Sequence, residues 1–176
     1  MSGDTPAFTI RAQEPADAAA ASALIGRIGV VEGTLQIPDM PVASRLDFQQ
    51  RIEPRDCRLV AIAAGELIGL AALHGVQPSL RRSHVRLLAI AVAPQWQGRG
   101  VGRQLMLRLM DWADRWAGVL RIELNVHADN TGAIAFYRSL GFAEEGRHRA
   151  YALKDGRYVD SLSMARLHPS PPRLGG

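Results

Sequence analysis

The chain has 176 residues, of which 47% are apolar and 22% charged, and its formal net charge is +4. This length and composition predict one globular domain with a substantial core, and a charge so small and dispersed does not predict nucleic-acid binding. The single cysteine, Cys57, excludes an internal disulfide framework and fits a reducing compartment.

Membrane, secreted and metal-binding classes are not expected either. The sequence has no uninterrupted apolar run of about 18 residues, so we expect no membrane span. Met1–Pro6 lacks the charged start and apolar stretch of a signal peptide, and we expect a cytoplasmic protein. No Cys/His spacing suggests a metal site.

The first third of the chain reads as a strand, a helix, an irregular segment and a second helix. The strand alternates apolar and polar residues, and Pro15 stands where the first helical turn tolerates a missing N–H. Glycine and proline punctuate the irregular segment. The expected bounds are 7–12 for the strand, 14 to Gly26 or Gly29 for the helix, 30–38 for the irregular segment and 42–51 for the second helix, after a disordered stretch over 1–6.

The middle of the chain carries three strand patterns. Cys57–Ala63 and Glu66–His74 are separated by Ala64-Gly65, which is the spacing of a tight antiparallel hairpin. Val85–Val92 follows and is apolar enough for a strand buried on both faces.

A long amphipathic helix is predicted from Val101 to Gly118, followed by a strand over Leu120–Val126. Its apolar residues recur every three or four positions, and we expect this stripe, including Trp112 and Trp116, to pack in the core. If the strand Leu120–Val126 pairs beside Val85–Val92, the helix between them must act as a crossover that makes the two strands parallel.

The last third is predicted to contain one helix and two strands. Asn130 is a candidate cap for a helix over Gly132–Leu140, and an Asp-Gly turn joins the strands into a hairpin. The strands are expected over 143–152 and 158–167, with a disordered, proline-rich tail over 169–176.

The stretch between strand and long helix, Gln97–Gly102, contains three glycines. A strand, a glycine-rich turn and a helix together direct unpaired backbone N–H groups at an anion, and Arg99 and Arg103 add positive charge. The pattern predicts a phosphate-binding loop. A tight turn without a ligand remains the alternative.

Two common phosphate loops do not fit the stretch. A nucleoside-triphosphate loop requires Gly-Lys-Ser/Thr, whereas Gly102 is followed by Arg103-Gln104. A dinucleotide fingerprint requires G-x-G-x-x-G, and the spacing here is G-x-G-x-G.

The remaining form, Gln97-x-x-Gly100-x-Gly102, resembles the pyrophosphate loop of the GNAT superfamily of acyl-CoA-dependent N-acetyltransferases. A second block, Asn130-x-x-Ala133-x-x-Phe136-Tyr137 with Gly141-Phe142, is similar to that family's second signature and follows in the right order. The resemblance spans nearly the whole chain. It implies an α/β fold with a mixed central sheet of about seven strands and about four helices, in a domain over residues 7–168.

The resemblance implies transfer of an acetyl group from acetyl-CoA to a primary amine, without a metal. The end of the Val85–Val92 strand would bind pantetheine and polarise the thioester, and the glycine loop would hold the pyrophosphate. The residues assigned to acetyl-CoA in this way are Ile90, Ala91, Val92, Gln97, Gly98, Arg99, Gly100, Val101, Gly102, Arg103, Asn130, Ala133 and Phe136.

Tyr137 would donate a proton to the leaving thiolate by the same resemblance. Periodicity alone favours a different interpretation, in which Tyr137 is a core aromatic residue beside Phe136 on an amphipathic helix.

The residues do not fix the general base. The Val85–Val92 strand carries no carboxylate, which leaves Glu32, His84 or a chain of water molecules. Glu32–Ile37 is the candidate wall of the acceptor pocket, where Leu35 and Ile37 would accept an apolar side chain. Alternatively, the segment is a surface connection with Leu35 and Ile37 packed beneath it.

Finer similarity, in Thr34–Pro38, Arg81–Val85 and Tyr151–Arg166, points to a bacterial subgroup that N-acetylates free L-amino acids. We therefore predict a small-molecule amine as partner, resembling methionine or phenylalanine. The alternatives are a protein N-terminus, an antibiotic or herbicide amine, and a non-catalytic acyl-CoA sensor. A homodimer could form through the last strand, 158–167.

Overall fold

The computed structural model describes residues 7–51, 53–76 and 80–172. The disorder expected for residues 1–6 and 173–176 falls outside these ranges, and residues 169–172 contain neither helix nor strand. Among the described residues, no helix is long and apolar enough to cross a membrane.

Seven strands form one sheet in the order β1-β2-β3-β4-β5-β7-β6. All neighbours are antiparallel except β4 and β5, whose parallel pairing is the expected crossover. The mixed sheet is thereby confirmed. The strands are β1 Thr9–Ala12, β2 Cys57–Ala63, β3 Glu66–Gly75, β4 Val85–Val92, β5 Arg121–His127, β6 Ala143–Lys154 and β7 Arg157–Leu167.

Five α-helices accompany the sheet within the described ranges, one more than expected: α1 Ala18–Ile25, α2 Ile28–Val31, α3 Ala43–Gln50, α4 Val101–Arg115 and α5 Thr131–Ser139. The additional helix, α2, is a single turn that overlaps the segment predicted to be irregular. Val30 and Val31 are buried there, so contacts with the rest of the fold stabilise a turn whose glycine-containing sequence does not predict one. Pro15–Asp17 forms a 3-10 turn ahead of α1.

The main core lies between the sheet and α4. The predicted stripe of α4 packs in the core: Val101, Leu105, Leu109 and Ala113 are buried, and Trp112 is half-buried against the same cluster. Met106 and Met110, which were not predicted, are buried beside them. The prediction is wrong for Trp116, whose side chain is 75% exposed. The helix ends at Arg115, and Trp116 follows it with a non-helical φ of −123°.

The opposite face of the sheet is only partly covered. Ala21, Leu24 and Val30, from the first two helices, pack on the central strands. Leu87 and Ala89 lie beyond this cover and are exposed, so the expectation that β4 is buried on both faces is wrong. We call the uncovered region over β4, β5, β7 and β6 the open face.

The parallel ladder between β4 and β5 is short. In the described chain it joins Val85–Leu87 to Arg121–Glu123 and ends there, although β4 continues to Val92 and β5 to His127. The two strands therefore separate over their second halves. Backbone groups of β4 that face this gap are left free to bind another molecule.

The last strand in sequence is not the edge of the sheet. β7 pairs with β5 on one side and with β6 on the other. β7 therefore has no free edge over Ser161–Ala165 for pairing across a dimer, and β6 is the outer strand of the sheet.

Candidate active site

A cavity of about 610 Å³ opens where β4 and β5 separate. Three elements line it: the end of β4, the glycine loop leading into α4, and the first two turns of α5. The lining residues are Ile90, Ala91, Val92, Gln97, Gly98, Gly100, Gly102, Arg103, Asn130, Gly132, Ala133, Phe136 and Tyr137. The structure thus brings together two sequence blocks that were singled out separately, and it adds Gly132.

The glycine loop has the backbone conformation that its sequence predicts. Gly98 and Gly100 have φ values of +71° and +85°, in the left-handed region that favours glycine. Gly100 immediately precedes α4, whose first N–H groups have no partner within the helix. Together with the helix dipole and Arg103, these groups suit a pyrophosphate.

Gly102 keeps the cavity open by lacking a side chain. A Cβ there would lie 3.7 Å from the Phe136 ring and 3.7 Å from a methyl group of Val92, and would occupy the space between β4 and α5. Gln97 ties the start of the glycine loop to the end of β4, since its side-chain amide donates a hydrogen bond to the carbonyl of Val92 at 3.1 Å.

Two residues assigned to the cofactor do not line the cavity. Val101 is completely buried in the core, so it offers the ligand only its backbone. The guanidinium of Arg99 lies 5.6 Å from the centre of the Trp96 ring, a cation–π contact at the outer side of the loop.

The end of β4 presents backbone donors to the gap. The N–H of Ala93 bonds to Ile68 on β3 at 2.8 Å. Successive amides of a strand point in opposite directions, so the N–H groups of Val92 and Ile90 point away from β3 and toward the gap. Groups in this position can hydrogen-bond an amide-bearing chain or polarise a carbonyl oxygen.

Tyr137 is half-buried at the inner end of the cavity. Its ring packs against Phe136 and Phe142, with centroids 5.5 and 5.8 Å away. Burial raises the pKa of Tyr137 to about 12, so the hydroxyl keeps its proton at neutral pH. The two interpretations of Tyr137 are thus compatible: the ring packs like a core aromatic, and the same residue lines the cavity.

Asn130 caps α5 as predicted, since its side-chain oxygen accepts a hydrogen bond from the N–H of Ala133 at 3.1 Å. The side-chain amide nitrogen points toward the segment after α2, where it lies 3.7 Å from the position a Cβ on Gly33 would take. The Glu32–Ile37 segment therefore passes beside the cavity.

The candidate acceptor residues separate into two groups. Glu32, Leu35 and Ile37 are exposed on the segment beside the cavity, Leu35 by 62% and Ile37 by 65%. The alternative that both apolar side chains pack beneath the segment is therefore wrong. His84 precedes β4 at the far end, about 20 Å along the strand from Ile90, and the structure does not bring it to the cavity.

Arg45 on α3 anchors the acceptor segment and was missed by the sequence analysis. Its buried guanidinium donates hydrogen bonds to the Gln36 side chain at 2.9 Å and to the carbonyls of Met40 and Ile37 at 3.1 and 3.3 Å. The sequence gave no signal for Arg45, because its partners are the Gln36 side chain and two backbone carbonyls of a loop that has no recognisable pattern.

A polar group on the open face was missed as well. His148 on β6, Ser163 on β7 and Asn125 on β5 lie side by side in a second cavity of about 360 Å³. Nearby, His127 at the end of β5 is buried, and its Nδ1 has no partner among the described residues.

Comparison with known proteins identifies the class. The acetyltransferase (GNAT) family matches residues 31–142, more than half of the chain. The sequence is 38% identical to L-amino acid N-acetyltransferase AaaT of Escherichia coli, over 91% of this chain and 98% of that protein. It is 33% identical to N-alpha-acetyltransferase RimI of Mycobacterium tuberculosis, over 97% and 99%.

The fold is also found among solved structures. The structure of yncA, a putative acetyltransferase from Salmonella typhimurium with its cofactor acetyl-CoA, superimposes with a TM-score of 0.83. The match covers 96% of this chain and 98% of that one, at 23% identity. The chain belongs to the GNAT family and is an N-acetyltransferase that uses acetyl-CoA.

Proposed function

We propose that the protein transfers the acetyl group of acetyl-CoA to the α-amino group of a free L-amino acid, by direct attack while both substrates are bound. The observation that carries the proposal is the gap between β4 and β5. The cavity with the glycine loop lies on one side of this gap, and the open face lies on the other. An acceptor amine can reach the thioester through it.

Each part of the first cavity has a role in this reaction. The α4 N-terminus and Arg103 bind the pyrophosphate, and the backbone of Ile90 and Val92 binds the pantetheine arm. A free N–H of β4 stabilises negative charge on the thioester oxygen as the amine attacks. Tyr137 then donates its hydroxyl proton to the departing sulfur.

The acceptor class rests on two supports. The first is the 38% identity to an L-amino acid N-acetyltransferase over nearly the whole of both chains. The second is the exposed apolar pair Leu35 and Ile37 beside the cavity, which would otherwise stay in water at a free-energy cost. An amino acid with a methionine-like or phenylalanine-like side chain would cover them.

A protein N-terminus is the second candidate acceptor. It is favoured by the 33% identity to an N-alpha-acetyltransferase over 97% of this chain. Both acceptors present a primary α-amine, so the chemistry at the gap is the same. They differ in the size of the acceptor pocket that they need, because a protein N-terminus continues into a polypeptide chain and a free amino acid does not.

The experiment is a measurement of coenzyme A release by the purified protein with acetyl-CoA, across the twenty L-amino acids and a set of short peptides. Turnover with methionine or phenylalanine is expected. Turnover with peptides alone would replace the amino acid by a protein N-terminus. Tight binding of acetyl-CoA without turnover on any amine would refute both and leave a binding protein.

A further inference from the structure

We propose that Ser163 and His148 form the route by which the acceptor ammonium loses its proton. The inference rests on the proposed function, since it names the base of that reaction. It replaces Glu32 and His84, the side chains that the sequence offered for this role.

The first argument is the contact itself. His148 Nε2 lies 2.6 Å from Ser163 Oγ, and Ser163 Oγ lies 3.0 Å from Asn125 Oδ1. Asn125 Nδ2 lies 3.5 Å from the Tyr151 hydroxyl, whose ring packs on His148 with centroids 5.6 Å apart. These four side chains come from three neighbouring strands and hold the histidine and the serine in one orientation.

The second argument is where these side chains lie. The cavity that contains His148, Ser163 and Asn125 is also lined by Leu87 and Leu124. Leu87 is the last residue of β4 that pairs with β5, and Leu124 is the first residue of β5 beyond that ladder. Leu87 is only three residues from Ile90 of the acetyl-CoA cavity, about 10 Å along the strand. Ser163 therefore lies on the open face, in a cavity that extends to the start of the gap, on the side from which the amine must approach.

The third argument is chemical. A carboxamide does not take up a proton at neutral pH, so Asn125 Oδ1 can accept the hydrogen bond of the Ser163 hydroxyl but cannot act as the base. The Ser163 hydroxyl has one proton and two acceptors within reach: it donates to Asn125 Oδ1 at 3.0 Å, and with the proton of neutral His148 on Nδ1 it can turn to donate to Nε2 at 2.6 Å. A lone pair of Ser163 Oγ then remains for an N–H of the ammonium.

The surrounding charges are paired among themselves. Arg121 binds Glu123 at 3.0 Å and also binds Glu145, and Arg82 binds Glu123 at 2.8 Å. On the hairpin itself, Arg147 binds Asp160 at 2.8 Å. Within the described part of the chain, His148 forms no ion pair or hydrogen bond with a carboxylate, although Glu123 and Glu145 line the same cavity.

The proton transfers balance as follows. The ammonium gives one proton to Ser163 Oγ while the Ser163 hydroxyl proton moves to His148 Nε2, which leaves a neutral amine and an imidazolium. The exposed imidazolium releases its Nδ1 proton to water. The amine nitrogen then forms the C–N bond as the C–S bond breaks, and its second proton replaces the one that Tyr137 gives to the sulfur.

The test is the pH profile of kcat/KM for the acceptor in the full-length protein. The wild type is expected to show a rise between about pH 5 and 8, where histidine side chains change charge. His148→Gln should lose this rise and fall about 100-fold at pH 7, with an unchanged Kd for acetyl-CoA. Ser163→Ala should do the same, and the double variant should be no slower than either single one.

Arg149→Gln is the matched control, an exposed change one residue away on the same strand, and it should keep the wild-type profile. A His148→Gln profile that superimposes on the wild type would overturn the relay and leave the proposed function intact. If the rise of kcat/KM with pH is lost in His148→Gln but kept in Ser163→Ala, His148 takes the proton without the serine, and the part of the relay that runs through Ser163 is wrong. Failure of the wild type to acetylate any amine would instead refute the proposed function, and the relay with it.

Discussion

At the scale of single residues, a side chain in this protein often has a packing role and a chemical role at once. Asn130 caps α5 with its oxygen and turns its nitrogen toward the acceptor segment. Tyr137 packs between two phenylalanine rings and lines the cavity. Mutations that preserve the packing are therefore needed to isolate the chemistry.

Tyr137→Phe is such a mutation. It keeps the ring between Phe136 and Phe142 and removes only the hydroxyl, so kcat should fall about 100-fold while the KM for acetyl-CoA changes little. Because the pKa of Tyr137 is raised to about 12, ionisation of the hydroxyl should not reduce wild-type kcat until the pH approaches that value. Steady-state kinetics from about pH 6 to about pH 11 test both expectations.

Tyr158→Phe provides the control, since Tyr158 is 73% exposed at the far end of the β6–β7 hairpin. It should match the wild type. An unchanged kcat in Tyr137→Phe would remove Tyr137 from the reaction and leave it as a packing residue.

At the scale of elements, the loop and helix α4 act as one unit. The helix buries its stripe in the core, which fixes its N-terminus in place, and the glycine loop turns the chain so that this terminus faces the cavity. Pyrophosphate binding thus depends on the backbone angles of a few residues rather than on their side chains.

Gly100→Ala tests this dependence. At a φ of +85° an alanine is strained by about 1 kcal/mol, although its Cβ would meet nothing within 4 Å. Relief of the strain should rotate the first N–H groups of α4 and raise the Kd for acetyl-CoA about tenfold, equivalent to about 1.4 kcal/mol. Calorimetric titration measures this change.

Gly118→Ala is matched to it. Gly118 follows the other end of α4 and also has a positive φ, and a Cβ added there would likewise meet nothing within 4 Å. The substitution should lower the free energy of unfolding by a similar amount without weakening the binding of acetyl-CoA. Equal loss of affinity in both variants would mean that general destabilisation, and not loop geometry, controls binding.

At the scale of the whole molecule, hydrogen bonds to one buried carboxylate hold together the open end of the β2–β3 hairpin in the middle of the sheet. Asp56, just before β2, accepts hydrogen bonds from His74 at 2.7 Å and from the N–H of Gly75 at 3.1 Å, both near the end of β3. Burial alone would raise the pKa of Asp56, but these two hydrogen bonds, together with one from Arg58 at 3.3 Å, outweigh it and hold the pKa below its ordinary value.

The sign of the resulting pH dependence follows from linkage. A carboxyl with a lower pKa in the folded state binds protons more readily when unfolded, so its contribution to stability is complete above about pH 4 and is lost as the pH falls further. Asp56→Asn should lower the free energy of unfolding at pH 7 by about 1–3 kcal/mol and flatten its decline below about pH 4. Denaturant titrations at several pH values measure both.

Asp111→Asn is the control at a surface ion pair, where Asp111 and Arg115 are 3.3 Å apart and more than half exposed. Its effect should stay below about 1 kcal/mol. An acid decline that is as steep in Asp56→Asn as in the wild type would assign the acid sensitivity to other carboxylates.

Local signals in the sequence determined most of the elements. Periodicity located every strand of the sheet to within two residues at each end and gave most of the stripe of α4. Gly100 and Asn130 marked the starts of α4 and α5, because caps and turns depend on neighbours in the chain. The predicted end of α4 is Gly118, whereas the helix ends at Arg115. The two motif blocks named the family and most of the residues that line the first cavity. The sequence did not predict helix α2, because tertiary contacts stabilise that single turn. It also did not predict the exposure of Trp116, because α4 ends one residue before it.

Only the tertiary structure decided how the elements are combined. The inner position of β7 and the uncovered half of the sheet depend on pairing between strands far apart in the chain. The polar group on the open face joins residues 15 and 38 positions apart, so no spacing rule could have predicted it. Turns, caps and loop motifs depend on consecutive residues and can be predicted from the sequence. A site shared by three strands exists only after long-range pairing has fixed the register of those strands.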